Sequence, residues 1–485
     1  MSGNQPSRDV PDWVVLTIAC VAQFMVVLDV SIVNVALPSI GRSLHYSPTG
    51  LQWVVNAYVL TFAGFLLLGG RAADLFGRRL VYLIGLGVFT AASLAGGLAQ
   101  SSGELTAARA IQGLGGAILS PATLTIIVTT YTGARTAKAI GAWSAVAGAG
   151  GAAGSLLGGV LTAEISWRWV LFVNIPIGIA GIAAAVRFLS ESRRPTDGSR
   201  LDVAGAIAVT AGLGAFIYAI VGTDTHPWTS ARTLGTLGVA AVLLAAFGLI
   251  ERRARSPLVP FRLFRSRAVT GANLVMLLVG SAFFSFWYFL SLYMQNVLGY
   301  GALKAGLAFF PMAVAVIIGA QTSSRLINGI GVRPLLQAGT LVATGGFAWL
   351  TTISAHGTYW ADVFGPGCLV ALALGLLFAP LASAATTGVH FTEAGLASGV
   401  LNTSRQVGGS LGLAALATIA IDRTHSVAHH ATGGVALTDG YVRAFLVATF
   451  VAVAALACSF VVPSIRRPNE AHDESLGAAP ALDSA

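Results

Sequence analysis

The chain has 485 residues, 55% of them hydrophobic and only 10% charged, with a mean hydropathy of +0.78 and a formal net charge of +9. That balance excludes a water-soluble globular protein of ordinary composition. The cysteines, Cys20, Cys368 and Cys458, all lie in apolar runs, which speaks against a disulfide framework or a zinc site, and the basic residues are too scattered for a nucleic-acid surface.

From the amino terminus, residues 1–12 are polar, and no small-residue cleavage site follows a short apolar core, so the first span is read as retained. Apolar runs predict spans near 13–36, 51–69, 80–100, 104–129, 137–160, 169–188, 201–221, 233–250, 268–295, 304–324, 335–354, 361–386, 395–420 and 441–463. With the amino terminus inside, twenty Lys and Arg residues fall in cytoplasmic connections and six on the opposite side. This is a positive-inside pattern with both termini in the cytoplasm.

The first span contains Asp29, within Leu28-Asp29-Val30-Ser31-Ile32-Val33-Asn34-Val35-Ala36-Leu37-Pro38. A mid-span carboxylate costs about 2.5 to 3.5 kcal/mol on insertion scales, which makes it the leading functional residue. In the second span Trp53 and Asn56 lie one turn apart, open to reading as interface anchors or cavity lining. The following loop, Gly70 to Arg79, places Asp74 among Gly77, Arg78 and Arg79, where a tight turn and a switchable ion pair are both feasible.

The fourth span carries Arg109, at a depth where it could meet Asp29, and Gln112, Gly113, Gly116 and Ser120 share its helix face. The pair reads either as a static ion pair or as a protonation switch; arginine keeps its proton, so a protonation change falls on Asp29. The fifth span has Gly150, Gly154 and Gly158 at intervals of four, with Gly159 beside them, a small-residue ridge suited to close helix packing.

The ninth span is aromatic. Tyr288 and Tyr293 fit an interface belt, whereas Phe283, Phe286 and Trp287 could stack on an apolar or cationic ligand. The thirteenth span holds Asn402, Thr403, Ser404, Arg405 and Gln406, a polar cluster with no acidic partner in sequence, expected to line a wet cavity or bond to neighbouring carbonyls. His425, His429 and His430 are placed in an outer loop, where solvation is favoured over metal binding.

The segment Ser324 to Arg333 repeats Gly70 to Arg79, with Arg71 matching Arg325, Gly77 matching Gly331 and Arg79 matching Arg333. The expected architecture is an all-α integral membrane protein. Its parts are an amino-terminal six-helix bundle (1–190), two inserted helices with linkers (191–265), a carboxy-terminal six-helix bundle (266–465) and a tail (466–485).

Taken with Trp167 to Gly178 and Ala397 to Gln406, these motifs make the chain similar to the fourteen-span drug:proton antiporter branch of the major facilitator superfamily. The resemblance implies export of bulky hydrophobic or cationic compounds, driven by protons without a cofactor or metal. It implies a monomer in the cytoplasmic membrane, and no enzyme. It makes Asp29 the proton acceptor, Arg109 its partner, and Gly70, Asp74, Gly77, Arg78 and Arg79 the cytoplasmic gate. The substrate cavity would draw on Asn34, Trp53, Asn56, Gln112, Phe283, Phe286, Trp287, Asn402, Arg405 and Gln406, and Gly150, Gly154, Gly158 and Gly159 would form a packing hinge. The family's Gly-Pro in the fifth span is Gly154-Ser155 here, and Ala72 and Leu75 replace its Leu and Arg in the loop. A uniporter or importer of a small metabolite is the alternative use of the same fold.

Overall fold

A chain this apolar can cross a bilayer only if its peptide groups bond within the chain, and helices satisfy that demand locally. The computed structural model describes residues 11–464 apart from 133, 191–200, 225, 255–256, 390–393, 429 and 431–432; the side chains at 74, 134, 137, 144, 147, 148, 152, 224, 328 and 394 also lie outside the described set. Its first part contains α1 (Asp12–Ser43), α2 (Pro48–Leu51), α3 (Trp53–Phe76), α4 (Arg78–Leu98), α5 (Ser102–Thr130), α6 (Ala134–Glu164), α7 (Trp169–Phe172) and α8 (Asn174–Phe188). Then come α9 (Val203–Val221) and α10 (Ala231–Arg253). The last part contains α11 (Arg267–Leu292), α12 (Ala302–Ala308), α13 (Phe310–Ile330), α14 (Val332–Leu350), α15 (Gly365–Thr386), α16 (Ala394–Ala428) and α17 (Gly433–Ser459).

Among the described residues, eleven helical segments are long and apolar enough to cross a membrane, against the fourteen spans expected. Helices α6, α14 and α16 are not among the eleven: Arg333, Pro334 and Gln337 lower the apolar content of α14 and Asn402 to Gln406 that of α16, while α6 includes residues outside the described set. Several starts are capped by a side-chain oxygen, including Ser101 on α5, Asp202 on α9 and Ser266 on α11. Helix α16 runs past its expected end, so His425 is helical and not in a loop, while His429 lies outside the described residues.

The repeat extends from sequence to packing. In the first part α1 packs on α6, α5 on both α3 and α4, and α4 on α8; in the last part α11 packs on α16, α15 on both α13 and α14, and α14 on α17. The turn glycines correspond too, Gly77 at φ +102° between α3 and α4 and Gly331 at φ +87° between α13 and α14. Only a residue without Cβ adopts such φ values at little cost.

Helices α9 and α10 stand apart from this scheme. Leu213, Ile217 and Val221 of α9 pack with Leu60 and Trp53 of α3 and with Ala414 and Leu411 of α16, so α9 covers a junction between the two halves. Helix α10 lies on α9 and leaves Leu234, Val239, Val242 and Leu249 exposed, as a lipid-facing helix requires.

The halves also meet near the end of α1. Ser291 Oγ of α11 donates to the Asn34 carbonyl (2.8 Å), and Gln295 Nε2 donates to that of Val35 (2.9 Å). Alongside, α6 and α12 approach so closely that a Cβ on Gly159 would lie 2.8 Å from the Ala302 carbonyl oxygen, and one on Gly306 would lie 2.3 Å from that of Ser155.

Candidate functional site: a buried carboxylate and its partners

Asp29, on the largely apolar α1, is completely buried. Its Oδ2 accepts from Arg109 Nη1 at 2.5 Å, and its Oδ1 accepts from Gln112 Nε2 at 2.8 Å and Asn174 Nδ2 at 3.0 Å. Four helices thus converge on one carboxylate, because Ser93 of α4 closes the group. Ser93 Oγ accepts from Gln112 Nε2 (3.1 Å) and Asn174 Nδ2 (3.0 Å) while donating to the Leu171 carbonyl (2.9 Å).

Arg109 spends its remaining capacity on the same cluster. Nη1 also donates to Gln112 Oε1 (2.7 Å), Nε donates to the Val54 carbonyl (3.1 Å), and the guanidinium lies 4.4 Å from the centre of the Tyr58 ring on α3. A buried ion pair survives in a low-dielectric interior only when its other polar valences are filled, and here the amides and the carbonyl fill them. Two acceptor-capable atoms remain without partners beside the pair, Asn174 Oδ1 and Tyr58 Oη.

Spacing along the chain prepared part of this arrangement. Arg109 and Gln112 are three residues apart and share a face of α5, but no comparable spacing in the sequence marks Ser93, Asn174 or Tyr58 as site residues. Asn174 stands in the Trp167 to Gly178 motif, and its polarity inside an apolar run was the available signal. Gln112, expected in the substrate cavity, belongs instead to the carboxylate cluster.

The glycine ridge serves the same helix. A Cβ on Gly150, Gly154 or Gly158 would come within 3.0 Å of the carbonyl oxygens of Phe24, Leu28 or Ile32, so α6 lies directly on the α1 backbone. Ser31 Oγ donates to the Gly151 carbonyl (2.6 Å) and lies 3.0 Å from Ser155 Oγ, so Ser155 makes a polar link to α1. Gly159 turns the other way, toward α12.

A Cβ on Gly70 of α3 would come into ordinary van der Waals contact with Pro121; at the α3–α4 turn Arg78 is buried, and Arg79 Nη2 donates to the Val186 carbonyl at the end of α8 (2.7 Å). Arg333, the repeat counterpart of Arg79, lies 5.2 Å from the Phe460 ring, just past the end of α17. The side chain of Asp74 lies outside the described residues.

The aromatic residues of α11 are placed differently from expectation. Phe283 and Phe286 pack edge-on to Phe347 of α14, at 5.6 and 6.2 Å, inside the last bundle. Tyr288 and Tyr293 are buried, and Tyr293 Oη donates to the Ser354 carbonyl (2.7 Å), so neither forms an interface belt. Trp287, half-buried, bridges Phe286 and Phe309. Phe347 follows Gly331 by sixteen residues, as Ser93 follows Gly77. The place that holds a charge cluster in one half therefore holds aromatic packing in the other.

The remaining expected cavity residues do not join Asp29. Asn34 is half-buried and its Nδ2 donates to the Val30 carbonyl (3.0 Å). Trp53 packs toward α9, Asn56 is buried with its Nδ2 3.5 Å from Gln52 Oε1, Asn402 and Arg405 are half-buried on α16, and Gln406 is buried.

The sequence profile of the Major Facilitator Superfamily matches residues 19–413. A cephamycin export protein of Amycolatopsis lactamdurans is 45% identical over 83% of this chain and 84% of its own length. A puromycin resistance protein of Streptomyces alboniger is 38% identical over 98% of this chain and 94% of its own. Among solved structures, an inward-facing bacterial homolog of the human lysosomal transporter Spinster aligns with a TM-score of 0.65 at 16% identity, covering 95% of this chain and 97% of that one. The POT family transporter PepTSo aligns with a TM-score of 0.67 at 15% identity, covering 93% and 99%. These two likenesses concern the fold.

Proposed function

Since this chain belongs to the major facilitator superfamily and is a multi-pass membrane transporter, we propose that it exports antibiotics or similar bulky hydrophobic compounds in exchange for protons. The relatives named for export of, or resistance to, cephamycin and puromycin support the direction and the substrate range. The observation that carries the proton half of the reading is Asp29, a fully buried mid-helix carboxylate whose every oxygen is engaged by groups from other helices.

Protonation of Asp29 removes the charge that holds Arg109 Nη1, Gln112 and Asn174 together. Arg109 then leans on its remaining α3 contacts, the Val54 carbonyl and the Tyr58 ring. Helix α1 is thereby loosened from α5 and α8. Asn34 follows Asp29 by five residues, about 7.5 Å along the helix, and its carbonyl and that of Val35 hold α11. A change at the carboxylate is thus carried along one rigid helix to a contact between the halves, the arrangement that alternating access needs.

In this reading the chain crosses the cytoplasmic membrane fourteen times with both termini inside, as a monomer without a cofactor. Two six-helix halves (1–190 and 266–465) rock about the substrate path, the inserted helices cover their junction, and the turn from Gly70 to Arg79 gates the cytoplasmic side. The test is drug uptake into inside-out vesicles carrying the full chain. An imposed acid interior should drive uptake by the wild type, and a protonophore should stop it; uptake indifferent to the gradient would remove proton coupling.

A further inference from the structure

Arg109 and Arg405 both stand in mid-helix positions, and their surroundings are opposite. Arg109 meets a carboxylate, an amide, a carbonyl and a ring. Arg405, half-buried on α16, meets none of these among the described residues, and its Nε is shut off from solvent without a partner. An ionised side chain within a span is rare and faces the bundle interior or a water-filled cavity, so its place marks a task.

Packing on either side fixes where that task lies. A Cβ on Gly280 of α11 would sit 2.3 Å from the Arg405 carbonyl oxygen, so this turn of α16 presses on α11. Neighbouring turns press on the other half: Gly399 faces Leu67 of α3, and Val407 packs with Leu60 and Trp53. Helix α16 thus lies between α11 of its own half and α3 of the other, and Arg405 stands on a turn that meets α11. Elsewhere polar capacity is unspent at Thr403 Oγ1 and Ser410 Oγ of α16, at Asn56 Oδ1 of α3, and at Gln52 Nε2 just before α3. Asp29, the buried acid of the first half, is already held by three donors.

We infer that Arg405 receives an anionic group, of the carboxylate or sulfonate class, on the exported compound. The inference rests on the export reading above and narrows its substrate class. A guanidinium offers several donors to one anion in fixed geometry. The apolar remainder of such a compound needs no further charge from the protein.

The test uses the full-length chain in nanodiscs of phosphatidylcholine, titrated with 1-pyrenebutyrate, its methyl ester and 1-pyrenebutylamine, with vesicle uptake of the same probes measured in parallel. The acid should bind roughly tenfold or more tighter than the ester, the scale of one charge-assisted contact. Arg405→Gln should erase that preference while leaving the ester within about twofold of wild type, and Arg405→Lys should keep part of it, because charge survives without the planar fork. Equal binding of acid and ester by the wild type, or an equal loss of all three probes in Arg405→Gln, overturns the assignment. Displacement of the acid by phosphatidylglycerol added to the discs would make the anion a lipid headgroup and overturn it as well. The export reading fails separately: uptake of ester or amine without preference for the acid leaves export standing and removes the anion site, whereas acid binding without gradient-driven uptake of any probe leaves the site and removes export.

Discussion

Replacing Asp29 with Asn tests the central cluster atom by atom. Arg109 Nη1, at 2.5 Å, demands the one remaining side-chain oxygen, so the new NH2 group must face the NH2 groups of Gln112 and Asn174. Gln112 cannot turn, because its Oε1 already accepts from Arg109. Asn174 can, since its Oδ1 is unpartnered, but turning takes its Nδ2 from Ser93. Two hydrogen bonds to a charged acceptor, worth about 1.5–3 kcal/mol each, are lost against the one neutral bond regained, and Arg109 is left without a counter-charge. The net cost is about 3–5 kcal/mol, the range for breaking one side of a buried pair. Thermal unfolding of purified protein, followed by a thiol-reactive dye at buried Cys20, reads the loss directly. Arg109→Gln should cost a similar amount, and the double variant should cost less than the two singles together, with a coupling of about 1.5 kcal/mol or more. Costs that add within about 0.5 kcal/mol would refute the claim that the pair acts as one unit.

The other predictions follow from single contacts. Gly154→Val drives a branched side chain into Ser31 and the Leu28 carbonyl, both within 3.0 Å of the place its Cβ would take, and should cost about 3 kcal/mol or more, read as lost folded protein on size-exclusion chromatography. Ala at Gly77 or at Gly331, where φ is positive, should lower stability by about 1–2 kcal/mol at either site, giving the two turns matching drops in unfolding temperature. Gln295→Ala removes one inter-half hydrogen bond worth about 1 kcal/mol, so a cysteine placed near the end of α1 should label about fivefold faster; an unchanged rate would show that this contact does not hold the halves. Asn174→Leu leaves the carboxylate one donor short and buries a bulkier group, and should lose about 2–3 kcal/mol while Ser93→Ala loses less.

Hydropathy and charge along the chain determined by themselves that it is a helical membrane protein, and the recurrence of Gly77 and Arg79 at Gly331 and Arg333 determined that it is built twice. Those properties are local or periodic, so they survive in one dimension. Asp29 and Arg109 were legible for the same reason: a charge in an apolar run is conspicuous without any neighbour in view. Only the tertiary structure decided their company. Ser93 and Asn174 stand far from Asp29 in the chain and are common polar residues, and nothing local distinguishes them from ordinary helix hydroxyls and amides until four helices bring them to one carboxylate. The aromatic run of α11 misled in the opposite sense, since composition shows that rings are present but not which face they take; Phe347, distant in sequence, turns Phe283 and Phe286 into bundle packing. Arg405 was conspicuous in the sequence, but its lack of a partner is a fact of three dimensions, because an acid anywhere along the chain could have folded against it and none among the described residues does.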